Sequence, residues 1–174
     1  MTFINFITNR SNSKNIILGI IFILLVNLVI FPFFSSENVN AGNILDLHFG
    51  FSVKDVLNIL SEMKQEGRKM YLLTTLLIDT PYAIIYGFVY AIIIVALLKK
   101  KITKANQYLI FTPFFISLFD LLENSGIVYF ILKYPNINSF ASTSVSFFNQ
   151  LKWIFATITL LIVLFLVIKL YLKK

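Results

Sequence analysis

Residues 108–135 read YLIFTPFFISLFDLLENSGIVYFILKYP, and the fold turns on this stretch. A helix needs about 20 mostly apolar residues to cross about 30 Å of hydrocarbon, and Tyr108 to Leu132 supplies them. Pro135 then stops the helix, because proline brings no N–H and a ring that clashes with the preceding turn. Yet Asp120, Glu123 and Asn124 lie inside this run. Their i, i+3, i+4 spacing puts them on one helical face. A charge inside a membrane span costs at least ~2.5 kcal/mol on insertion scales and normally faces protein or water. The stretch therefore predicts a spanning helix with one polar face turned into a bundle.

Working outward, three more runs qualify as spans. The first is Ile16–Phe34, interrupted by Asn27 and closed by Pro32 and Ser35-Ser36; the others are about Tyr71–Leu98 and about Phe147–Ile168. Composition agrees: 58% of the 174 residues are hydrophobic and 13% charged, against roughly 45–50% and 25% in soluble domains. A chain this apolar cannot stay unpacked in water, which excludes disorder. The absence of cysteine excludes a disulfide framework, thiolate metal ligands and cysteine catalysis. The expected fold is all-α, a four-helix transmembrane bundle forming a single integral membrane domain over residues 1–174, with spans at about 16–34, 71–98, 108–132 and 147–168.

Lysine and arginine positions set the expected orientation. Of 15 such residues, nine (Arg10, Lys14, Lys99, Lys100, Lys101, Lys104, Lys169, Lys173 and Lys174) fall before span one, between spans two and three, or after span four. On the other side Lys54, Lys64, Arg68 and Lys69 are diluted by Glu37, Asp46, Asp55, Glu62 and Glu66. Both termini are therefore expected in the cytoplasm, with the protein multi-pass in the cell membrane. A rival reading makes span one a signal peptide cleaved near Val39-Asn40-Ala41, but its apolar run exceeds the usual 7–15 residues. An uncleaved anchor is the expectation.

Between spans one and two, Ser52 and Asp55 have capping-box spacing, and Phe51 and Val56 are placed to form a hydrophobic staple. Val53, Val56, Leu57, Leu60 and Met63 then recur at helical spacing. A short external amphipathic helix is expected over about 53–66, with Gly67 in the left-handed position that ends a helix. Helices that bind lipid by themselves are usually rich in Lys and Arg. This one is nearly charge-balanced, which favours capping the bundle.

The polar residues inside the spans form the candidate site. Thr75, Asp79, Tyr82, Tyr86 and Tyr90 occupy one stripe of span two, and Asn149, Lys152 and Thr159 align on span four. Together with Asp120, Glu123 and Asn124 they are expected to converge at a similar outer-half depth. Three carboxylates against Lys152 leave two negative charges uncompensated. Protonation, an inward dip of Arg68 or Lys69, or a cationic ligand would balance them. Pro81 adds polarity by leaving the carbonyl of Leu77 without its helical donor. The competing reading is structural, with the network only fixing helix register.

Other chemistry is poorly supported. His48 is the one histidine; it pairs in sequence with Asp46, yet a lone loop histidine is more often an ordinary polar residue. Zinc needs three or four ligands at close spacing. No zincin pattern, phosphate-binding loop or nucleophile elbow occurs, so neither a metal nor a cofactor is expected. Nucleic acid is an improbable partner, since no folded cytoplasmic domain exists to present a reading element.

The external Phe49-Gly50-Phe51-Ser52 helix start, Gly67-Arg68 with Tyr71, then Asp79, Pro81 and Tyr86, Asp120-Leu121-Leu122-Glu123-Asn124, and Lys152 early in the last span form an ordered pattern over about residues 45–155. In this order of features the chain resembles a family of small, functionally uncharacterised bacterial four-span membrane proteins. The resemblance implies the four-helix fold and the polar cluster, and it brings no substrate. The expected function is a non-enzymatic bundle whose acidic outer-half pocket binds a small amphiphilic ligand, a lipid or a partner helix. In that reading Asp79, Asp120 and Glu123 accept, Lys152 is the counter-charge, Tyr82 and Tyr86 donate, Asn124 assists and Arg68 modulates the mouth. The alternatives are an intramembrane acid–base enzyme acting on a lipid, and a structural subunit of a larger membrane complex or homo-oligomer.

Overall fold

A computed structural model describes residues 3–34, 44–99 and 101–172. Among them the chain forms six helices and no strand. These are α1 (Phe3–Arg10), α2 (Ser13–Phe34), α3 (Val53–Glu62), α4 (Gln65–Leu97), α5 (Gln107–Lys133) and α6 (Ser139–Tyr171). The helices α2, α4, α5 and α6 are long and apolar enough to cross a membrane. The chain is therefore built as a multi-pass membrane protein. Leu28, Leu77 and Leu161 show how its apolar surface is spent: they are 70%, 69% and 59% exposed, a pattern suited to acyl chains rather than water.

Close backbone approach organises the bundle. A Cβ on Gly126 of α5 would collide with Val145 of α6, and one on Gly87 of α4 would strike the Ser117 hydroxyl of α5. That hydroxyl donates to the carbonyl of Ala83 at 2.7 Å. Small residues let α4, α5 and α6 pack tightly. The first span, α2, packs chiefly on α4. At Gly19 the two approach closely enough that a Cβ would lie 2.8 Å from Val89.

The segment before α4 folds back on the bundle. Asp55 accepts hydrogen bonds from the Ser52 N–H (2.8 Å) and hydroxyl (2.7 Å), while Ser52 Oγ accepts from the Asp55 N–H at 3.3 Å. The capping box is complete, and these bonds hold the Asp55 carboxyl below its usual range. Val56, Ile59, Leu60 and Met63 bury against Ile127, Phe130 and Val145. Here α3 caps the bundle, as its charge balance implies.

Several boundaries differ from expectation. α3 ends at Glu62, and Gly67 lies inside α4, not at a left-handed cap. The break falls at Met63 and Lys64, both extended. The Arg68 guanidinium explains it by donating to the carbonyls of Leu60 (2.9 Å) and Met63 (2.6 Å), satisfying acceptors that a helix end leaves open. Accordingly α4 starts at Gln65 rather than near Tyr71, and α6 at Ser139 rather than near Phe147. The extra turns of α6 are polar but not idle: Ser142 and Ser146 are buried. α1 was not anticipated; its Ile7 packs with Ala91, Ile94 and Leu166 at the end of the bundle holding both termini. The closure at Ser35-Ser36 and the cleavage site at residues 39–41 lie outside the described residues.

Candidate functional site: an amphipathic cavity between the spans

Two prolines shape the site. The turns ahead of Pro32 and Pro81 widen into π-helix, at Val26–Ile30 and Thr75–Asp79. A proline cannot donate to the carbonyl four residues back and crowds it, so the ladder slips by one residue. The Thr80 N–H accordingly bonds to the carbonyl of Thr75. The bulges bring Asn27 and Asp79 to the same cavity, and the Asn27 amide donates to the Tyr82 hydroxyl across the α2–α4 gap.

That cavity measures about 910 Å³ and is lined by α2, α4, α5, α6 and the turn at residues 44–47. The predicted stripe of α4 (Thr75, Asp79, Tyr82, Tyr86 and Tyr90) all lines it, and Asp120, Lys152 and Thr159 join from α5 and α6. Depths match too. Asp79, Asp120 and Lys152 each lie about 20 Å along their own helices, measured from the end nearest α3.

The charges meet at Lys152. Its Nζ lies 2.5 Å from Glu123 Oε2 and 3.3 Å from Asp120 Oδ1. Asp120 also accepts from the Tyr86 hydroxyl at 2.8 Å, and Glu123 from the Asn149 amide at 2.8 Å. Asn149 passes the network outward by accepting the Gly50 N–H at 2.7 Å. Gly50 has φ +81°, a left-handed conformation that glycine adopts without strain. Asn124 is buried beside Asp79.

Not every expected residue faces the cavity. Glu123 and Asn124 stand behind its wall, outside the lining. Arg68 does not line the cavity; it is engaged with the carbonyls of Leu60 and Met63 and stacked over Tyr134 at 4.7 Å. His48 does not line the cavity either. Other residues emerge only from the structure. Asp46 lines the cavity from the 44–47 turn and accepts the Tyr71 hydroxyl at 2.6 Å; it shares the cavity with the span residues Asp79 and Asp120. Trp153, the one tryptophan, sits on the rim. Only the proximity of Asp46 to a buried tyrosine reveals its role, and no local pattern encodes that.

Polarity changes along the cavity. The charged groups Asp46, Asp79, Asp120 and Lys152 gather at the end nearest the 44–47 turn, beside the apolar Phe31, Phe34, Ile44 and Leu47, whereas the other end is uncharged, lined by Ile116, Ala156, Leu160 and Val163 with Tyr90 and Thr159. Such a shape receives a molecule with a polar head and an apolar body. No family model, curated protein or solved structure matches the chain.

Proposed function

We propose that the protein is a non-enzymatic component of the cell membrane that holds a membrane-borne amphiphile in the cavity between α2, α4 and α6. The gradient from Asp46 and Asp79 to Leu160 and Val163 carries this reading. A volume near 910 Å³ falls in the range of small-molecule sites, about 300–1,000 Å³. Burying the occupant's apolar body gains little over lipid, so the polar head supplies the selectivity. The nine basic residues at the terminal end, where the sequence has no Asp or Glu, favour placing both termini in the cytoplasm. The acidic head site then lies toward the opposite leaflet.

The test is mass spectrometry of small molecules retained by the protein purified in mild detergent. Ala156→Phe places a ring in the cavity, and Leu161→Phe on the exposed face of α6 is the control. Wild type and the control are expected to retain one amphiphile that Ala156→Phe loses. Equal retention by all three folded proteins would contradict the reading.

A further inference from the structure

The head site holds more acidic side chains than basic ones. Counted as ionised groups, Asp46, Asp79, Asp120 and Glu123 face a single ammonium, that of Lys152. Lys152 is committed to Asp120 and Glu123, and Arg68 to the carbonyls of Leu60 and Met63. No other lysine or arginine lines the cavity among the described residues. The two nearest threonine hydroxyls on α4 are spent as well. Thr75 donates to the carbonyl of Tyr71, and Thr80 to that of Thr75, so neither is left to donate to Asp79, whose neighbouring side-chain donor is the uncharged amide of Asn124.

Two further atoms point to an occupant. Asp46 lines the cavity, and its Oδ1 is buried with no hydrogen-bond partner. Deeper in, Thr159 lines the cavity, is 2% exposed, and its Oγ1 is likewise unpartnered. Buried polar atoms of this kind normally find a protein, water or ligand partner. A bare ion would leave the apolar end of the cavity unfilled.

Building on the proposed amphiphile site, we infer that its ligand has a cationic head: an ammonium seated between Asp79 and Asp46, with its hydrocarbon body directed past Tyr86 and Thr159. The ammonium supplies hydrogen bonds to both carboxylates and offsets their repulsion. Tyr82 and Tyr86, whose ring centroids lie 5.3 Å apart edge to face, add aromatic surface that favours a cation.

The single tryptophan makes this measurable. Full-length protein in nanodiscs is titrated with dodecylamine and with dodecanol, following Trp153 fluorescence and referring both to their membrane concentrations. Wild type is expected to bind the amine at least about tenfold more tightly, the lower end of what a charge-assisted hydrogen bond contributes. Asp79→Asn should bring the ratio towards one by weakening the amine. Asp46→Asn serves as the second variant should the first fail to fold. Equal affinities in wild type, or an unchanged ratio in both folded variants, overturns the cationic head while the amphiphile site stands. Failure of both probes to bind overturns the amphiphile site and the cationic head together.

Discussion

Removing the ammonium of Lys152 is the sharpest perturbation of the polar core. Lys152→Met keeps the length of the side chain and deletes the charge, leaving Asp120 and Glu123 facing each other without a counter-ion. Glu123 is 0% exposed and Asp120 5%, so water cannot take over. Breaking a buried ion pair from one side typically costs 3–5 kcal/mol; with two carboxylates orphaned, a loss of about 4 kcal/mol is expected. The triple variant Lys152→Met, Asp120→Asn, Glu123→Gln should recover most of it. Its amides keep acceptors for Tyr86 and Asn149, and neutral replacements of buried ion pairs are often tolerated. The assay is unfolding of the micelle-bound protein by increasing SDS, followed by circular dichroism. A single variant within about 1 kcal/mol of wild type would refute the reasoning. So would a triple variant no more stable than the single one.

Other consequences are equally open to measurement. Because the folded-state affinity of Asp55 for protons is depressed below the ordinary aspartate value of 3.8, the unfolded chain binds more protons there. The contribution of Asp55 is complete above that value and is lost as pH falls through the lower folded one. Protection from hydrogen exchange across residues 53–62, referred to the intrinsic rate at each pH, should therefore fall below about pH 4 in wild type, with a flatter response in Asp55→Asn. Gly126→Ala should destabilise by roughly 1–3 kcal/mol through collision with Val145, and Val145→Ala added to it should restore much of the loss in the same SDS titration. Arg68→Ala should raise hydrogen exchange in α3 while leaving amphiphile binding within about twofold, since Arg68 touches the carbonyls of Leu60 and Met63 and not the cavity.

The number of spans was legible in the sequence because apolar length is a physical requirement of the bilayer, and the polar stripe because helical periodicity is fixed. The ends were not. Hydropathy stops where polar residues begin, yet Gln65–Met70 and Ser139–Ser146 continue their helices, the latter because Ser142 and Ser146 find buried places against neighbouring chain. Ser146, for instance, accepts the Phe51 N–H at 2.8 Å. Gly67 looked like a helix end because its residue type is common there, but the break is set four residues earlier, where Arg68 reaches back.

At the site, Lys152 joined the two carboxylates of α5 as the i, i+3 spacing implied, whereas the counting of charges missed Asp46. In sequence it is one acid among loop residues; in space the turn at 44–47 folds it over Tyr71 and into the cavity. The π-bulges were likewise hidden. Pro32 and Pro81 signal a disturbed ladder, but not that the two disturbances face a common cavity.

Photolabelling tests the central claim most directly. A long-chain amphiphile carrying a diazirine near its tail is added to the protein in lipid vesicles, irradiated, and the modified residues are read by peptide mass spectrometry. Ile116, Tyr86 and Thr159 are 5%, 7% and 2% exposed, so bulk lipid hardly touches them, yet all three line the cavity. Labels on these residues are the predicted result. Labels confined to outward residues such as Leu161, Leu164 and Phe165 would contradict it.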